Sequence, residues 1–219
     1  FAVDINTTPV ADELDDVVEC DSYTLLPLSA GNQYWTGMGG TGTQLFAGGV
    51  ITSDQTIYIY APATAPCEAD ESSFAVDINT TPVADELDDV VECDSYTLLP
   101  LSAGNQYWTG MGGTGTQLFA GGVITSDQTI YIYAPATAPC EADESSFAVD
   151  INTTPVADEL DDVVECDSYT LLPLSAGNQY WTGMGGTGTQ LFAGGVITSD
   201  QTIYIYAPAT APCEADESS

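Results

Sequence analysis

Apolar and polar positions alternate at the clearest point of the chain, Gln55-Thr56-Ile57-Tyr58-Ile59-Tyr60. Ile57 and Ile59 fall on one face and Tyr58 and Tyr60 on the other, the period of a strand covered on one side. Residues 74–78 alternate in the same way, which sets Phe74, Val76 and Ile78 inward and Asp77 outward. Shorter runs predict strands at 16–20, 22–25, 33–36, 44–46 and 50–52. Turn-forming residues separate them: Pro27, residues 30–32, residues 37–42, Gly48-Gly49 and the Pro-rich stretch 62–66. Helical periodicity is confined to residues 11–16, one turn at most. Short strands divided by Gly and Pro turns predict an all-β chain of immunoglobulin-like sandwiches.

The pattern repeats without change. Residues 1–73, 74–146 and 147–219 are identical letter for letter. A period of 73 exceeds the roughly 20–50 residues of common solenoid repeats and suits a small independent domain, beads on a string. Recent gene duplication, designed concatenation and one averaged repeat copied along a periodic filament all produce such identity. The folding unit is out of phase with the repeat, because the strand at 55–61 and the strand starting near Phe74 make a terminal hairpin across the loop 62–72. Units are therefore expected at 7–79, 80–152 and 153–219. Residues 1–6 are then an orphan last strand, with Phe1, Val3 and Ile5 as its apolar face, and the third unit lacks its own. Two explanations stand: a window cut from a longer chain, or donation of Phe1, Val3 and Ile5 to a neighbouring molecule.

Charge narrows the function. The chain carries 33 Asp and Glu and no Lys, Arg or His. Nucleic-acid binding and attachment to an anionic membrane both need cations, so neither partner is expected. A His base, a Schiff-base Lys, an arginine clamp and a His metal ligand are absent, which disfavours most enzyme classes. One-signed charge can signal disorder, but 44% apolar and 10% aromatic residues supply a core. No apolar run approaches the ~18 residues of a membrane span, and no signal peptide opens the chain. It reads as a mature, soluble piece of something larger.

Each repeat holds two cysteines without C-x-x-C spacing, the pattern of disulfides in an oxidising, extracellular setting. Pairing inside each unit is expected: Cys20–Cys67, Cys93–Cys140 and Cys166–Cys213. The alternative staples neighbouring units through Cys67–Cys93. Zinc is poorly served by two cysteines per unit and no His.

Residues 20–25 (Cys-Asp-Ser-Tyr-Thr-Leu), 39–45, 55–61 and 73–85 together resemble the tandem immunoglobulin-like repeats of giant surface adhesins of gliding Bacteroidota. The resemblance covers essentially every repeat. It implies a repetitive extracellular adhesin or filament exported by type IX secretion, with no catalytic residues to carry over. The export signal and C-terminal sorting domain of such proteins are not among the 219 residues.

Other motifs offer candidate sites. Gly37-Met38-Gly39-Gly40-Thr41-Gly42 satisfies G-x-G-x-x-G, but residues 43–49 are glycine-rich and β-like, so an inter-strand loop is expected instead of a dinucleotide cradle. Asp12, Glu13, Asp15 and Asp16 form an acidic cluster, and Glu68, Asp70 and Glu71 a second. Calcium takes six to eight oxygen ligands, which makes the first cluster the candidate metal site, although no EF-hand loop occurs. Its structural counterpart is a solvated acidic surface. Asn6-Thr7-Thr8 is an N-x-[ST] sequon. Tyr34, Trp35, Tyr58 and Tyr60 offer flat faces for surface glycans, with at least one of Tyr34 and Trp35 assigned to the core. Glycosidase carboxylates would be duplicated in every repeat, so no enzyme is expected. The expectation is a structural stalk whose partners are adjacent repeats or identical chains. A calcium- or glycan-binding module and a strand-donated filament subunit are the alternatives.

Overall fold

The computed structural model describes residues 1–219, and the chain contains strands and no helix. The first seven strands are β1 (Val17–Cys20), β2 (Tyr23–Thr24), β3 (Gln33–Gly37), β4 (Thr41–Leu45), β5 (Val50–Ile51), β6 (Gln55–Ala61) and β7 (Asp70–Asn79). They make a five-stranded sheet in the order β1-β7-β6-β3-β4 and a two-stranded sheet β2-β5. All pairings are antiparallel except that of β1 with β7, which is parallel. Seven strands in two sheets, with the first strand laid along the last, are an immunoglobulin-like sandwich.

Alternation explains what closes the core. Ile57 and Ile59 on β6 are fully buried, as are Phe74 and Val76 on β7. Leu25, directly after β2, and Ile51 on β5 join them, and Tyr34 completes the cluster. Burying one such side chain contributes about 1.5–3 kcal/mol. Phe74 stands edge-on between Tyr23 and Tyr34, with ring centroids 6.2 and 6.3 Å away.

Three local expectations are corrected. Residues 11–16 form no helical turn; Ala11 is buried and its N–H donates to Asp70 Oδ2 (2.9 Å), so the backbone bonds outside itself. The loop before β7 is shorter than 62–72, because Asp70, Glu71 and Ser72 already pair with Ala61, Tyr60 and Ile59. The glycine-rich stretch is the inter-strand connection expected, but its turn is shorter than residues 37–42, because Gly37 still belongs to β3. Gly39 and Gly40 turn the chain at φ +67° and +68°, and β4 begins at Thr41. A Cβ on Gly40 would lie 2.9 Å from the Tyr60 ring, so both conformation and space demand glycine there.

The pattern recurs in β8 (Val90–Cys93), β9 (Tyr96–Thr97), β10 (Gln106–Gly110), β11 (Thr114–Leu118), β12 (Val123–Ile124), β13 (Gln128–Ala134) and β14 (Asp143–Asn152). Their sheets are β11-β10-β13-β14-β8 and β12-β9. The last set is smaller: β15 (Tyr169–Thr170), β16 (Gln179–Gly183), β17 (Thr187–Leu191), β18 (Val196–Ile197), β19 (Tyr204–Ala207) and β20 (Asp216–Ser218). It forms a four-stranded sheet β17-β16-β19-β20 and a pair β15-β18. Residues 163–166, identical in sequence to β1, are not a strand here, and β19 is 4 residues long against 7 in β6. In the first sandwich β7 pairs with both of these segments, parallel to β1 and antiparallel to β6.

By compactness the chain divides into two units. One comprises Phe1–Ala84, Ala103–Asn105 and Tyr133–Glu144; the other comprises Asp85–Ser102, Gln106–Ile132 and Ser145–Ser219.

Candidate functional site

The parallel pairing of β1 with β7 sets Val17 opposite Val76 and Cys20 opposite Asn79. Cys20 therefore sits where β7 ends. Asp21 comes next, in the left-handed region at φ +62°, a conformation Asp tolerates better than most residues. Its N–H donates to Asn79 O (2.8 Å), which anchors the bend. Its carboxylate accepts from the backbone N–H (3.0 Å) and the Oγ1 (2.6 Å) of Thr81. These two bonds, the hydroxyl's first, hold the Asp21 carboxyl below its ordinary 3.8. Asn79 Nδ2 donates to Ala138 O (3.0 Å) in a loop one repeat further on, and that loop is closed by Cys140 N–H to Thr137 O (2.8 Å).

Cys20 and Cys140 are joined at the centre of these bonds, with Cα atoms 5.4 Å apart and a sequence separation of 120. The second compact unit holds a copy. Cys93 is joined to Cys213, Asp94 accepts from Thr154 N and Oγ1, and Asn152 Nδ2 donates to Ala211 O. Hydrogen bonds from Thr154 lower the Asp94 carboxyl in the same way.

Both disulfides contradict the expected pairings Cys20–Cys67, Cys93–Cys140 and Cys166–Cys213, and also Cys67–Cys93. Strand direction is the reason. Cys67 precedes β7, whereas Cys20 lies beside its last residue, and ten strand residues span about 30 Å. A disulfide tolerates Cα separations of only about 4.4–6.8 Å. Cys67 and Cys166 remain as thiols, the former half-buried and the latter exposed.

The cysteines and the sequon are thus brought to one place, and other candidate residues are not. Asn6, read as a glycan acceptor, donates from Nδ2 to Ala65 O (2.7 Å), the bond that Asn79 makes with Ala138. Asp12, Glu13, Asp15 and Asp16 do not converge as a cation site: no group of three or more His, Cys, Asp or Glu side chains is gathered. Asp12 accepts from Ser29 N–H (2.6 Å) and Asp16 from Ala75 N–H (2.7 Å), so two of the four carboxylates brace the backbone. Glu71 accepts from Gly39 N–H in the G-x-G-x-x-G turn, which opens no anion cradle. Among the aromatics, Tyr34 is core: its hydroxyl donates to Leu26 O (3.1 Å), and burial pushes its pKa up to about 12. Trp35 Nε1 donates to Gln33 Oε1.

Sequence reasoning missed Asp21 and Thr81. Their signal is faint, an Asp directly after a cysteine and a second threonine in the sequon. Phe1, Val3 and Ile5, the candidate donated strand, are exposed and unpaired.

No family model and no curated protein matches the chain. Among solved structures it is similar to an I-band fragment of titin, at 10% identity and TM-score 0.45, over 96% of this chain and 94% of that one. It is also similar to the N-terminal four immunoglobulin domains of Dscam1 isoform 9.44 (8%, TM-score 0.32, 96% and 70%). A third similarity is to Sidekick-1 immunoglobulin domains 1–5 (10%, TM-score 0.28, 96% and 58%).

Proposed function

We propose that the chain is a structural, non-catalytic repeat segment of an extracellular fibre, of the kind its wording resembles in Bacteroidota surface adhesins. One observation carries this reading: each closed disulfide reaches from one repeat to the loop of the next, so the cross-link secures the run of repeats instead of the single domain. Disulfides of this sort persist in oxidising surroundings, which supports a location outside the cell. A surface with 33 carboxylates and no cation keeps a long polymer soluble and lacks every cleavage site for trypsin-like proteases.

The mechanical consequence comes from connectivity. A pull on the two ends travels 19 peptide steps to Cys20, crosses to Cys140, runs 47 steps back to Cys93, crosses to Cys213 and ends 6 steps later. That path has 72 of the chain's 218 steps. At about 3.5 Å per step the oxidised chain stops near 260 Å even when every strand has come apart, against roughly 760 Å when reduced. Force–extension measurements on single chains, with and without reductant, test this. The oxidised chain is expected to reach about a third of the reduced length; equal lengths would remove the tether reading.

A further inference from the structure

Charge and exposed apolar surface are kept apart within every repeat. The 33 carboxylates fall equally on three identical repeats, yet none lies in the run from Ser22 to Ser53, which spans β2 to β5. Asp12 bonds into that run at Ser29 and Glu71 at Gly39, neither of them at residues 24–26 or 46–50.

Those two short segments bring three large apolar side chains together in solvent. β2 and β5 pair Tyr23 with Ile51 and Thr24 with Val50. Tyr23 and Ile51 pack into the core, so Thr24 and Val50 face away from it. Leu25 is buried, which turns Leu26 to the outer side as well. A tight turn adds Phe46. Gly49 N–H donates to Phe46 O (2.9 Å), Leu25 N–H donates to Gly49 O (2.9 Å), and Gly48 N–H donates to Leu25 O (2.8 Å). Leu26, Phe46 and Val50 are 51%, 69% and 59% exposed. Their counterparts in the other two repeats differ by no more than one point, so the patch is a property of the repeat.

We propose that this patch is where two copies of the chain associate side by side, through Leu26, Phe46 and Val50 and the same positions of the other repeats. Charge selects the face. A second copy carries 33 negative charges and no cation, so only an uncharged surface lets the two approach without setting carboxylate against carboxylate. A cationic partner would be drawn to the carboxylates instead of to this patch. A sugar would find no hydrogen-bonding group on the three side chains. Area selects the partner. One patch exposes roughly 300–400 Å² of apolar surface, which a monomer tolerates. A stable interface takes about 800 Å² from each partner, and three patches come to roughly 1,000 Å². An identical chain presents the same patches at the same spacing, so each contact raises the effective concentration for the next. The proposal uses neither disulfide, so it and the fibre reading stand or fall separately, one tested by mass and the other by extension.

Sedimentation equilibrium tests it, with the thiols of Cys67 and Cys166 capped by iodoacetamide to prevent covalent dimers. Between about 0.01 M and about 1 M sodium chloride the Debye length falls from roughly 30 to roughly 3 Å, which screens the carboxylates and leaves apolar contact intact. The chain is expected to sediment at 22.9 kDa in low salt and at twice that mass or more in high salt. Phe46→Asp, Phe119→Asp and Phe192→Asp together are expected to hold it at 22.9 kDa in both. Val10→Asp, Val83→Asp and Val156→Asp add the same three charges at positions 70%, 70% and 71% exposed outside the uncharged run, and are expected to leave association unchanged. A common melting temperature for the two sets confirms that both fold. A single chain at every salt concentration, association that survives the Phe set, or equal loss in both sets would overturn the proposal. So would a single chain retained on agarose beads and released by the Phe set, which would give the patch to a neutral glycan.

Discussion

Asp21 accepts hydrogen bonds from both the backbone N–H and the hydroxyl of Thr81, 60 residues away in sequence. The contact ties the bend after Cys20 to the segment leaving β7, and the disulfide to Cys140 closes over the same point. Because both bonds favour the charged carboxylate, Asp21 is held below 3.8, as is Asp94 by Thr154. A lowered carboxyl contributes stability above its unfolded value and loses it as pH falls through the folded one. Melting temperature is therefore expected to fall on acidification below about pH 4. Asp21→Asn with Asp94→Asn keeps the left-handed bend and removes the charge, so the acid-side drop should shrink. An unchanged drop would assign acid sensitivity to other carboxylates.

The alkaline limb has a different origin. Burial first, then the neighbouring Tyr23 and Asp12, raise Tyr34 to about 12, and Tyr107 matches it. A raised phenol contributes stability fully present below pH 10 and lost as pH climbs through 12. Unfolding followed by tyrosinate absorbance should show these two ionising late and together with loss of structure. Tyr34→Phe removes the hydroxyl's bond to Leu26 O, with an expected cost of about 0.5–1.5 kcal/mol at neutral pH, and weakens the alkaline loss. Early ionisation of all tyrosines would contradict this.

Phe1 and Phe74 are the same residue in the same local sequence with opposite surroundings: Phe1 is exposed and Phe74 is 2% exposed between two tyrosines. Phe74→Ala is expected to cost about 3–5 kcal/mol in urea unfolding. Phe1→Ala in the single chain is expected to stay within about 0.5 kcal/mol. Similar losses at both positions would mean that residues 1–6 are packed in solution.

Alternation alone places Ile57, Ile59, Phe74 and Val76 in the core, because a period of two on a half-covered sheet leaves few choices. The immunoglobulin-like class was legible for the same reason. Strand direction was not. Nothing in Asp16-Val17-Val18-Glu19-Cys20 says whether the run lies parallel or antiparallel to β7, yet that choice decides which end of the sandwich receives Cys20. Spacing within one repeat therefore suggested Cys67 as partner, when the partner lies 120 residues away in the next repeat's loop. The acidic cluster at 12–16 was legible only as a run of charge: Asp12 and Asp16 bond to backbone N–H groups of distant segments, which composition does not reveal.

Identical repeats make ordinary disulfide mapping blind here, since the peptides around Cys20 and Cys93 are the same, as are those around Cys67, Cys140 and Cys213. The most direct measurement is a thiol count on the Cys67→Ser, Cys166→Ser double variant, refolded under oxidising conditions and titrated in denaturant without reductant. Cross-repeat pairing predicts no thiol and two intact disulfides, Cys20–Cys140 and Cys93–Cys213. Two titratable thiols, left at Cys20 and Cys213 beside a Cys93–Cys140 bond, would contradict it.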